Sequence, residues 1–154
     1  MSEVYDNELQ ALRREIETGD ARPSVIDDRV DALLTEGGAT LAEDLLALLS
    51  DKAEYDEGMF SIIHAVESLD ETPYGSYVSA LLSVFPTLST SSPRWASIVL
   101  MRVINSDASR HELVRQLRDV LAPTKESVRI MCERINEVSP EFLSRTVPVT
   151  IAAA

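Results

Sequence analysis

The run Ser92-Pro93-Arg94-Trp95-Ala96-Ser97-Ile98-Val99-Leu100-Met101-Arg102-Val103-Ile104-Asn105-Ser106-Asp107 decides the fold class, because it has helical signals at its start and along its length. Ser92 before Pro93 places an N-cap ahead of a proline at the first helical position. Ala96, Val99, Leu100 and Val103 share one face at the 3.6-residue period, with Met101 and Ile104 beside them. Trp95, Ile98, Arg102 and Asn105 mark an adjacent stripe. Two packing directions with a polar edge describe an inner helix of a bundle. The expected work of Trp95, Ile98, Arg102 and Asn105 is therefore to organise the scaffold, with Arg102 bonding a carbonyl or acid at the edge and Asn105 capping a turn.

The same periodicity runs in both directions from this stretch. Towards the N-terminus, Val4, Leu9, Leu12 and Ile16 predict a helix over 3–18 stopped by Gly19, and a second runs from Pro23 to about Leu34 before Glu36-Gly37-Gly38. Thr40 with Glu43 has capping-box spacing and opens a third helix that ends near Ser50. Residues 51–58 form a charged connection, and Met59, Ile62, Ile63, Val66 and Leu69 make the next stripe. A helix after Thr72-Pro73 is expected to end before Pro86, leaving 87–92 as a polar linker. Towards the C-terminus, Asp107 or Ser109 caps a helix carrying Leu113, Leu117 and Leu121, and Thr124 caps another through about Val138, ended by Pro140. No strand alternation is sustained. The expected fold is all-α: seven or eight helices in successive antiparallel hairpins, forming a short HEAT-like α-solenoid or a helical bundle. Residues 1–154 read as a single domain, with 139–154 an extended or frayed tail.

Charge is the most uneven property of the chain. The formal net charge is −12, and residues 1–71 hold nineteen of the 26 acids but five of the 14 basic residues, leaving the remainder at +2. An acidic surface repels nucleic acid and anionic lipid, so the expected partner is a basic protein, with no direct nucleic acid and no membrane. No run approaches the roughly 20 apolar residues that cross a bilayer, and no cleavable apolar leader follows the first residues, so the expected location is cytoplasmic. The acids that read most coherently as an interface are Asp51, Glu54, Asp56 and Glu57 in the charged connection and Glu67, Asp70 and Glu71 at the end of the next helix. Tyr55 and Tyr74 supply less hydrated anchors beside them.

Catalytic signals are weak by comparison. His64 and His111 lie on different predicted helices, neither a His-Glu-x-x-His nor a paired-cysteine motif occurs, and Gly37-Gly38 lacks the strand and lysine of a phosphate loop. The single Cys132 forms no internal disulfide and sits in a packed helical stripe. No catalytic residue, metal or cofactor is assigned.

The pattern Trp95-x-x-Ile98-x-Leu100-x-Arg102-x-Ile104-Asn105, together with the helix around Met59 to Leu69, resembles the immunity protein 30 family of bacterial polymorphic toxin systems. The resemblance implies an all-helical antidote, not an enzyme, that binds a cognate toxin domain of a contact-dependent or secreted competition system and blocks it. The acidic charge suits a basic nuclease as that toxin. A general helical protein-binding adaptor or scaffold uses the same physics and is the alternative reading, with a helical enzyme third.

Overall fold

The computed structural model describes residues 2–70 and 74–154. The described residues form nine α-helices and one 3-10 turn, with no strand, so the all-α expectation holds. The chain divides into two compact units, Met1–Leu69 and Asp70–Ala154.

The first unit contains α1 (Glu3–Glu17), α2 (Pro23–Glu36), α3 (Leu41–Leu46) and α4 (Asp56–Ser68). Helix α2 packs on both α1 and α4, and α3 packs on α4. Their apolar stripes meet in a core that includes Leu12, Ile26, Leu33, Leu45, Met59 and Ile62. Ser2 starts α1 by accepting a hydrogen bond from the Tyr5 amide at 3.1 Å. The Tyr5 hydroxyl, on a ring buried from solvent, donates to Asp44 of α3. Burial and that neighbouring carboxylate push the Tyr5 phenol well above its ordinary range, so it stays a donor. Thr40 does not cap α3 through the expected box. Its hydroxyl donates to the Asp44 carboxylate at 2.9 Å, and α3 stops at Leu46, short of the predicted Ser50.

Between α1 and α2 the chain turns on a buried carboxylate. The amides of Thr18 and Gly19 both bond to the Arg14 carbonyl, ending α1 one residue earlier than predicted. Glu15 then accepts from the Arg22 guanidinium at 2.7 Å and from the Arg22 amide at 3.4 Å. The Arg22 hydrogen bond holds the Glu15 carboxyl below its usual range, against the opposing effect of burial. A carboxyl whose folded pKa is depressed contributes stability above its unfolded pKa of about 4.3 and loses it as pH falls through the folded value. Glu15→Gln should therefore lower the urea midpoint of the first unit at pH 7, and the gap from wild type should narrow as pH falls below about 4. A gap constant from pH 7 to pH 3 would show that this pair does not contribute to acid sensitivity.

The second unit contains α5 (Gly75–Ser91), α6 (Pro93–Asn105), α7 (Asp107–Leu117), α8 (Ala122–Val138), the 3-10 turn Pro140–Phe142 and α9 (Leu143–Ala152). Helix α5 is central, packing on α6, α7 and α8, while α9 packs on α7 and α8. Contacts between helices distant in the chain make this unit a bundle, one of the two architectures the sequence left open. The α6–α7 corner is held by buried bonds: Ser109 donates to the Val103 carbonyl at 2.5 Å, and Arg110 donates to the Ile104 carbonyl at 2.7 Å. These satisfy carbonyls at the end of α6 that the helix itself cannot. Ser106, not Asp107 or Ser109, occupies the N-cap position of α7.

Other boundaries differ from the sequence reading as well. Helix α5 runs through Pro86 to Ser91, so 87–92 is mostly helix and not a linker. Buried Phe85 and Leu88 on either side of the proline hold the helix in place despite the lost backbone bond. Helix α8 begins at Ala122 with Leu121 at the N-cap position and Pro123 in its first turn, earlier than the expected Thr124 cap. The segment 139–154, expected to be extended or frayed, forms the 3-10 turn and α9. Thr146 and Val149 are buried, and the Thr146 hydroxyl donates to Asn136 of α8 at 2.7 Å. Docking of that face supplies the order that an isolated ten-residue helix lacks.

Candidate functional site

The acidic candidates fall in the α3–α4 connection, on α4 and ahead of α5. Asp51, Glu54 and Tyr55 lie exposed in the connection between α3 and α4. Asp56 and Glu57 occupy the first turn of α4 and not the connection, where their charge complements the positive end of the helix dipole. Glu67 lies in the last turn of the same helix, eleven residues and about 16 Å further along its axis. In the second unit, Asp70 accepts from the Ser76 hydroxyl at 2.5 Å and from the Tyr77 amide at 3.3 Å, which satisfies a donor at the start of α5. Tyr74 precedes α5 with φ at 64° and an exposed ring. Glu71 lies outside the described residues.

A second acidic set was not singled out from the sequence. Asp27, Asp28 and Asp31 are exposed on α2 and form no ion pair among the described residues. Asp27 and Asp31 are four residues apart, a like-charge spacing that costs a helix a few tenths of a kcal/mol. That spacing was the available signal. Asp51, Glu54 and Glu57 are exposed as well.

The stripe of α6 carrying the motif residues leads elsewhere. Trp95 is 1% exposed and belongs to the core, with the Arg94 guanidinium 5.0 Å from its ring centre. Ile98, Arg102 and Asn105 instead line a groove of about 570 Å³ within the second unit. Helices α6 and α8 each pack on α5 without packing closely on each other, and the gap between them is this groove. Its opposite wall is Met131, Ile135 and Val138 of α8, and Phe142 closes one end. Asn105 does not cap a turn there: its side-chain oxygen accepts from Arg145 of α9 at 2.8 Å, and the Arg145 guanidinium lies 5.8 Å from the Phe142 ring centre. This contact fixes the closed end.

Burial, assisted by Glu133, pushes the Cys132 thiol up to about 12, so it is protonated and shielded at neutral pH. His64 and His111 are exposed on α4 and α7, and no group of three His, Cys, Asp or Glu side chains converges on a metal position among the described residues. The apolar groove is of a kind suited to binding a protein segment.

Comparison with known proteins agrees with that reading. No curated protein and no solved structure matches the chain. The family model Immunity protein 30 matches residues 12–113, from within α1 to within α7. The matched span takes in all of α2 to α6, including the Trp95, Ile98, Arg102 and Asn105 stripe, and covers well over half of the chain; the protein therefore belongs to the immunity protein 30 family, whose general role is to neutralise toxins.

Proposed function

We propose that this chain is the stoichiometric cytoplasmic antidote of a basic toxin domain, a nuclease being the class whose charge fits best, and that the acidic surface of the first unit steers and receives it. The family match carries the antidote role. The charge of residues 1–71 supports the basic partner, since complementary fields raise association rates by orders of magnitude at low salt. Asp51, Glu54, Asp56, Glu57 and Glu67 are the carboxylates assigned to that contact, with Tyr55 as anchor. The apolar groove favours one rival, a general helical adaptor.

Co-expression separates the two. The toxin domain encoded beside this gene should kill its host alone and spare it when this chain is present; failure to protect sinks the antidote reading. With the purified pair, Glu54→Lys combined with Glu57→Lys should slow association at least 10-fold at low salt, with the difference fading as salt approaches 1 M. An unchanged association rate at low salt would remove the acidic surface from the interface.

A further inference from the structure

The groove between α6 and α8 is a feature that charge steering leaves unused. Its walls are largely apolar, with Ile98 and Met101 on the α6 side, Met131, Ile135 and Val138 on the α8 side, and Phe142 beyond them. Val138 is 84% exposed, an unusual position for a valine whose neighbour Ile135 is buried. Along α6 the lining runs from Arg94 to Asn105, about 16 Å or three helical turns, so the groove is elongated and matches a helix of similar length. A second depression continues it along α8 towards Pro123, sharing Pro93, Met131 and Arg134. Two methionines in the walls supply apolar surface that adapts to the occupant.

Charge indicates what the occupant carries. Three arginines and no acid line the groove itself, and the continuing depression adds one acid, Glu126, in a chain with a net charge of −12. Arg134 is exposed at the junction of the two depressions and forms no ion pair among the described residues. We infer that this groove is a docking site for an amphipathic helical segment of the toxin, with apolar side chains at i, i+3, i+4 and i+7 against its apolar walls and a flanking carboxylate on Arg134. The inference rests on the antidote reading for the identity of the partner.

The test uses the whole protein and two fluorescein-labelled 14-residue helical peptides, each with leucines at i, i+3, i+4 and i+7, one flanked by glutamates and the other by lysines. The field of an acidic chain favours the lysine peptide, whereas the groove favours the glutamate peptide. Saturable binding of the glutamate peptide at least 10-fold tighter than the lysine peptide is the expected result. Val138→Asp should weaken it at least 10-fold, and Arg134→Glu should reverse the preference. Both positions are exposed, and an unchanged circular dichroism spectrum confirms that the variants remain folded. Equal binding of the two peptides, or indifference to Val138→Asp, overturns the inference. Concentration-dependent dimerisation abolished by Val138→Asp would assign the groove to a second copy and overturn it equally. The peptide measurement needs no toxin, so a groove that fails leaves the antidote reading intact, and a failed co-expression leaves the groove result standing.

Discussion

Replacing Trp95 by alanine should cost the second unit about 3–5 kcal/mol, the range for deleting a buried aromatic side chain. That is a large share of the roughly 5–15 kcal/mol that holds a typical domain folded. Trp95 is among the largest fully buried side chains, and it lies on α6, which packs against the central helix α5 and against α7. Neighbouring Ala96, Val99 and Leu100 are fully buried and cannot turn to fill the space without leaving their own contacts. Because Trp95 is the only tryptophan, unfolding must be followed by circular dichroism and not by fluorescence. Trp95→Phe, which keeps an aromatic ring, should recover part of the loss. Val138→Ala, at an exposed position on the groove wall, should change stability by no more than about 0.5 kcal/mol. Equal effects of Trp95→Ala and Val138→Ala would mean that α6 does not anchor the unit.

That contrast shows what the sequence made legible. The periodicity of α6 announced both of its stripes, because the 3.6-residue repeat is a local property of the chain. It did not announce that the second stripe divides, with Trp95 in the core and Ile98, Arg102 and Asn105 at a groove. The division depends on α8, whose residues lie some thirty positions away, and on Arg145 reaching Asn105 from α9. Pro86 misled for a related reason. Proline is a local breaker, but tertiary burial of Phe85 and Leu88 outweighs the lost bond. The acidic candidates were legible as charge and less so as arrangement: the start of α4 at Asp56 and not near Met59 moves Asp56 and Glu57 from the connection onto the helix, while Asp51 and Glu54 stay in the connection.

Gly58→Ala should destabilise the first unit by about 1–3 kcal/mol, although alanine exceeds glycine in helix propensity by about 1 kcal/mol. Gly58 is buried in the first turn of α4, and a Cβ there would stand 2.4 Å from Cδ1 of Ile26 on α2. Ile26 is itself fully buried, so its terminal carbon has no open space to enter. The remaining Ile26 atoms near that position are 3.5 Å away, an ordinary contact. Ile26→Val deletes Cδ1 and should cost about 0.5–1.5 kcal/mol by itself. In the Gly58→Ala background the same change removes the clash and should stabilise, so the double variant exceeds Gly58→Ala in urea midpoint. This reversal of sign is the decisive measurement; additive effects would place the cost of Gly58→Ala elsewhere. The consequence reaches the acidic surface, because Gly58 follows directly on Asp56 and Glu57. Pushing α4 away from α2 displaces the carboxylates proposed to meet the toxin, and the double variant, with the close approach restored, should recover the association rate together with the stability.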